Sequence, residues 1–433
     1  MQNGLEEARN ELLSLIRKEM AHPKAVASFP VVVRLKIPLT GIDPLGWLLG
    51  LKNDRKVFFR SQQMGITVAG LGSCFELVSD SWHGLEELWE GLNEFISACP
   101  DARIFTGMSF ARSVSGAEWD GFSAIHCMLP AVEIYQDKDG CWLAANMVRG
   151  RDGESFDTTA RDILERMYLM EDVSQGDTRV LSREDVPDYE DWVCSSEAVL
   201  DAIGRGDLHK VMLARRLTLQ TDHSELSVAM LKQLVRMPNS DMSFLFSING
   251  KTFIAVKMDP LYLREKMSVV SRVVVDARGQ SQEKAKREHD VVAGAVIEVY
   301  REFCRFYQID CSLDRDKEYE DLKVSGDLNE GAMDKDFLQA LHPAASVCGV
   351  PAEKARHFLQ QYEVFDRGWF SGPVGFLGKM SSCIAVSSKA CLFEQSALHV
   401  FVGAPFIKGS RVSSQWDVTG KRMQDILNIA HGA

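Results

Sequence analysis

Residues 341–375, reading LHPAASVCGVPAEKARHFLQQYEVFDRGWFSGPVG, constrain the fold more than any other part of the chain. Gly349 and Pro351 break the chain and set a first helical turn, and Ala355, Phe358, Leu359 and Tyr362 follow at helical spacing. Gly368, Gly372, Pro373 and Gly375 then crowd a short segment with residues that let backbone come close to a ligand or a neighbouring strand. A helix framed between two turns is expected. On local grounds alone, a buried helix and a bend account for it as well as a binding site does.

The rest of the chain is read around this stretch. Leu5, Ala8, Leu12, Ile16 and Met20 form one apolar stripe, the mark of an amphipathic helix. From Val31, VVVRLKI alternates apolar and polar positions, and KVFFR, residues 65–68 and GCWLAANMV add further β-rich runs, so the first third should be largely sheet. Residues 195–203 read as a helix leading into a strand at 210–219. The polar stretches 153–189 and 312–331 are expected to be exposed connections. No internal repeat is apparent.

Composition enters here as a set of exclusions. With 433 residues, 45% hydrophobic and 25% charged, the chain can bury a large core. Ten cysteines occur without a CxxC pair or a Cys/His ladder, against zinc and against a disulfide framework. The net charge of -12 argues against nucleic acid as a partner. No run approaches the roughly 18 apolar residues a membrane helix needs, so a cytosolic protein with no membrane partner is expected, as a monomer.

Two motifs of the opening stretch, HP..SVCG.P..KA and E.FDRGWFSGPVG, resemble the signature of the chorismate-utilising enzymes. Ala344 and Ala345 stand where that family has Thr-Pro, and Phe370 where it has Tyr. DPLGWLLG, KVFFR, IFTGMSFA, EWDGF and MLPAVEIY resemble the amino-terminal half of the isochorismate synthase branch. The resemblance implies an α+β fold: two large mixed β-sheets packed as a sandwich, with outer helices. Residues 1–190 would form its sheet-rich amino-terminal part and 191–433 the chorismate-binding part, as one compact unit.

Lys210 lies in HKVMLARR, sharing a strand face with Met212 opposite Val211 and Leu213. A lysine on an enclosed face loses proton affinity through desolvation, although a solvated strand lysine is the plainer reading of the residues alone. The resemblance makes Lys210 the base that deprotonates an attacking water. Asp259, in KMDPLYL, matches a family glutamate that acts as general acid, one methylene shorter; its residues alone suggest an Asp-Pro turn. Glu288 shares a helical stripe with Val292, Ala295 and Val299, which points a carboxylate inward. By resemblance Glu288 helps hold magnesium; a helix-boundary glutamate paired with Lys or Arg is the alternative.

The remaining positions depart from the family pattern. GSRVSSQWDVTGKR is anchored by Trp416, but Gln415 and Val418 replace two acidic residues, so Gln415 is a poor metal ligand and Val418 none. Asp417 is rotated about 100° from the required face. Arg422 keeps the positive charge of a family lysine. In VVVDARG, Val274 and Val275 replace a Gly-Thr pair. Ser388 stands where a carboxylate-binding arginine is expected, and Lys389 could supply charge from the opposite strand face. Gly403 is retained, but Pro405 removes a backbone N–H that could bind a carboxylate.

The resemblance thus implies an isochorismate synthase, an isomerase taking chorismate through magnesium-dependent water addition at C2 and loss of the C4 hydroxyl. Its product would supply menaquinone, siderophore or salicylate synthesis, with magnesium binding weakened or lost. The alternative is a catalytically degenerate member serving as a ligand-binding or protein-interaction module. An ammonia-using enzyme is disfavoured by Lys210.

Overall fold

A computed structural model describes residues 2–21, 31–149, 156–167, 180–221, 228–236, 241–273, 282–314, 319–394 and 396–431. Val274, Val275 and Gly279 lie outside the described residues. Among those described, no helix is long and apolar enough to cross a membrane.

Two long strands, Lys251–Glu265 and Ser381–Glu394, pair with each other along their length and belong to both layers of the fold. Their register shifts at Ala255/Lys257, Lys257/Met258 and Pro260/Tyr262. Bulges of this kind bend a strand and increase its twist, which lets one hydrogen-bonded pair turn from one sheet into the next. At one end, Lys251–Glu265 pairs with Met242–Ile248, and Ser381–Glu394 with Ala397–Ile407. At the other end they pair with Ser268–Val273 and Pro373–Leu377. Every pairing among the described strands is antiparallel.

Between the layers lies an aromatic core that includes Phe59, Phe105, Trp119, Phe246, Trp369 and Phe376. Phe246 and Trp369 meet edge to face at 5.2 Å, a favourable arrangement of ring quadrupoles. Helices Gln2–Ala21 and Val412–His431 cover one sheet, burying Leu12, Ile16, Met423 and Ile426. Helices Leu85–Ala98, Gln282–Phe303 and Asp334–Leu341 cover the other, burying Leu92, Val292, Tyr300 and Phe337. This is the expected layered α+β fold with outer helices, except that the described strands form one continuous, curled antiparallel sheet rather than two mixed sheets. Strands from either side of residue 190 interlock: Lys56–Ser61 pairs with Met242–Ile248, and Ile104–Met108 with Pro373–Leu377.

Two expected connections are not connections. Within 153–189 the chain forms the helix Thr159–Arg166, which buries Ala160 and Leu164, and the strand Val180–Val186 on the sheet edge. Within 312–331 it forms the strand Tyr319–Leu328, central between Ser268–Val273 and Cys304–Asp314. Leu322, Val324 and Leu328 supply its buried face, and the charges between them point away.

Candidate active site

The FDRGW turn and the strand bearing Lys210 are tied together by Arg367. This arginine is 2% exposed and donates to both Glu363 carboxylate oxygens, to the Val347 carbonyl at 2.9 Å and to the Met212 carbonyl at 2.6 Å. A buried guanidinium tolerates burial when its donors are matched in this way. One cation thereby joins the helix Ala352–Tyr362, the segment before Gly349 and the Lys210–Thr221 strand. Asp366 fixes the other side by accepting from the Ser115 and Gly116 N–H groups at 2.5 and 3.1 Å.

Two glycines allow the chains to close. A Cβ on Gly349 would lie 2.3 Å from the Lys210 carbonyl, so the Gly349–Val350 strand reaches Lys210 only because the side chain is missing. At Gly368, with φ +51°, a Cβ would lie 2.1 Å from the Trp119 ring.

Lys210 is 1% exposed and Glu288 4% exposed, and Lys210 Nζ lies 3.0 Å from Glu288 Oε1. Both faces of the strand are buried here, Val211 and Leu213 as fully as Lys210 and Met212. Lys210 Nζ also donates to the Ala345 carbonyl at 3.1 Å and the Ser346 carbonyl at 2.8 Å, so the three N–H donors of an ammonium meet three oxygens. Glu288 sits on helix Gln282–Phe303, and Lys284, one turn earlier, also acts on it. Burial pulls the Lys284 ammonium below the usual lysine range, and Glu288 opposes that pull.

Asp259 lies in a strand, between the bulges where the long pair bends, and is half-buried. It lines a cavity of about 680 Å³ together with His209, Arg272, Ala345 and Ser346. The carbonyls that hold Lys210 therefore belong to residues of the wall on which Asp259 stands. Next to this wall, His342 stacks on Trp82 at 4.4 Å and its Nε2 is 3.0 Å from the Phe110 carbonyl. Burial pushes the His342 pKa down to about 3, so the ring is neutral and donates from Nε2. Burial pushes the Cys348 thiol up to about 12, which makes it a packing group rather than a nucleophile.

The other expected site residues are engaged elsewhere in the same region. Lys389 faces the carboxy-terminal helix and donates to Asp425 at 2.9 Å. Arg422 donates to the Gly403 carbonyl, holding that helix against Ala397–Ile407. A Cβ on Gly403 would lie 2.9 Å from Met212 Sδ, on the strand opposite. Pro405 is opposite Met212, whose N–H goes to the Cys348 carbonyl at 2.7 Å. Gln415 is 2% exposed, and its Oε1 has no hydrogen-bond partner. Trp416 stacks under Arg215, with the guanidinium 3.2 Å from the ring centroid.

These residues do not fit magnesium. Among the described residues no three of His, Cys, Asp and Glu are grouped to hold a metal. Glu288 is paired with Lys210, and Gln415 offers one neutral oxygen.

An antiparallel sheet sandwich, with a buried lysine and carboxylate joined near the HP..SVCG.P and FDRGW segments, defines a chorismate-utilising enzyme. The chain belongs to the chorismate binding enzyme family, which it matches over residues 19–430. It is 24% identical over 460 residues to isochorismate synthase MenF of Bacillus subtilis strain 168, covering 96% of this chain and 98% of that protein. Similarity to the chloroplastic isochorismate synthase of Catharanthus roseus is 26% identity over 385 residues, 81% of this chain and 66% of that one. The solved structure of the menaquinone-specific isochorismate synthase MenF from Escherichia coli superposes with a TM-score of 0.80 at 18% identity, covering 98% of this chain and 100% of that one. At that identity the likeness establishes the fold.

Proposed function

We propose that the protein converts chorismate to isochorismate, adding water at C2 as the C4 hydroxyl leaves. The observation that carries this reading is the meeting of Lys210 and Glu288, from a strand and a distant helix, inside a buried site. The isochorismate synthases among its relatives support the same activity.

In this reading Lys210 is the base toward the attacking water. The Ala345 and Ser346 carbonyls and Glu288 keep its nitrogen in place, and it acts as base after passing a proton to the Glu288 carboxylate it touches. Asp259, in the wall of the adjoining cavity, protonates the departing hydroxyl. Lys389, through Asp425 of the carboxy-terminal helix, and Arg422, through the Gly403 carbonyl, position the walls of the ligand site. Magnesium is bound weakly or not at all, because Gln415 and Val418 stand at the acidic positions.

Two observations favour a second reading, a family member that binds a carboxylate ligand without turning it over. All three donors of Lys210 are matched, and the acidic positions of the carboxy-terminal helix are lost. One assay separates the two: purified protein is incubated with chorismate and isochorismate is followed by chromatography, with Lys210→Ala as control. Product that disappears in the variant supports the enzyme; chorismate that binds without product supports the second reading.

A further inference from the structure

We infer that the Lys210 ammonium takes the place of a divalent cation beside Glu288, so that the pocket accepts its carboxylate ligand without magnesium. The inference rests on the chorismate reading for the identity of the ligand, and on the geometry alone for the exclusion of the metal.

The position a cation would occupy is already filled. Glu288 Oε1, the Ala345 carbonyl and the Ser346 carbonyl converge on one point at 3.0, 3.1 and 2.8 Å, and that point is Lys210 Nζ. The oxygens form a cation site whose cation is part of the chain. Because the ammonium is tethered, holding it there costs no translational freedom, whereas a metal ion would have to be captured from solution.

Charge and donor count point the same way. Lys210 and Lys284 both act on the Glu288 carboxylate. A divalent ion added beside them would face two like charges where little water screens the repulsion. Magnesium also requires a near-octahedral shell of oxygens, supplied by one or two carboxylates together with waters and ligand oxygens. The helix that would supply the second half of that shell offers Gln415, a neutral amide, and Val418, which has no donor. The Gln415 Oε1 is buried without a partner, so the amide remains where a charged ligand is expected and carries no compensating charge.

The ligand's carboxylate then binds without a bridging metal. Two measurements on the intact chain test this. The thermal midpoint is followed against MgCl2, with NaCl at matched ionic strength, in the absence of ligand. It is expected to stay unchanged, and a saturable rise specific to magnesium overturns the inference. Chorismate is then titrated by calorimetry in EDTA and in MgCl2. Dissociation constants that agree within about twofold support the inference, and an affinity that rises about tenfold or more with magnesium overturns it. Chorismate that binds in neither buffer defeats the proposed function, while the thermal measurement still decides the question of the metal.

Discussion

Lys210 Nζ and Glu288 Oε1 are 3.0 Å apart and almost fully buried, although the residues lie on a strand and a helix that are not adjacent in sequence. A buried ion pair gives little net stability over an apolar pair, but breaking one leaves an uncompensated charge in a dry site. The pair therefore fixes the relative position of strand Lys210–Thr221 and helix Gln282–Phe303, on which both proposed roles depend.

Arg367 serves four acceptors on three segments, and lysine has only three donors and no planar fork. Arg367→Ala should cost about 3–5 kcal/mol of unfolding free energy, and Arg367→Lys should recover only part of it. Chemical denaturation checks this. Because Arg367 holds the strand carrying Lys210, kcat should fall in Arg367→Lys even where the variant remains folded.

Gly349→Ala places a methyl group against the Lys210 carbonyl and within 2.7 Å of the Ala355 Cβ. Neither neighbour is the end of a flexible side chain. A loss of about 1–3 kcal/mol is expected from overpacking, with chorismate affinity reduced as the Lys210 backbone shifts. Stability and affinity equal to those of the unaltered protein would contradict the close approach.

Asp259 carries its carboxyl one methylene short of the glutamate that the resemblance expects. If reach limits protonation of the leaving hydroxyl, Asp259→Glu should raise kcat by up to about a hundredfold, since a misplacement near 1 Å has that scale. Asp259→Asn should abolish turnover while leaving chorismate binding intact. Steady-state kinetics with isochorismate as the measured product decides between these outcomes.

His342 makes stability depend on pH in a defined window. Burial lowers its pKa from 6.5 to about 3, so below pH 6.5 the unfolded chain binds a proton that the folded chain refuses. Stability is complete above pH 6.5 and falls as pH drops toward 3, at up to about 1.4 kcal/mol per pH unit. Glu76, held near 2 against burial by His126 and Arg55, adds an acid loss only below 4.5. Denaturation between pH 6.5 and 4.5 should therefore be steeper for the unaltered protein than for His342→Gln, and equal slopes would count against the buried neutral ring.

Much of this arrangement was legible in the residues. The stripe of Glu288 with Val292 and Val299 gave an inward carboxylate, whereas the residues around Lys210 alone favoured a solvated amine and only the family resemblance pointed to an enclosed one. Their partner carbonyls at Ala345 and Ser346 were not legible, because every residue has a carbonyl and only the fold selects two of them. Arg367 was missed, although Glu363 and Arg367 are four residues apart within a glycine- and aromatic-rich turn, where an arginine has little solvent to reach. The strand Tyr319–Leu328 was hidden by charge: Leu322, Val324 and Leu328 alternate correctly, but the residues between them made the segment look like a connection. The bulges beside Asp259 could not be counted from alternation, since each shifts the register by a residue, and they turned an expected Asp-Pro turn into the bend of a long strand.

The pairing of Lys210 with Glu288 is tested most directly by a double-mutant cycle on unfolding free energy with Lys210→Met, Glu288→Gln and the double variant. A coupling of about 2 kcal/mol or more, with chorismate affinity lost in either single variant, is the predicted result. A coupling near zero, or single variants that bind chorismate as well as the unaltered protein, would contradict it.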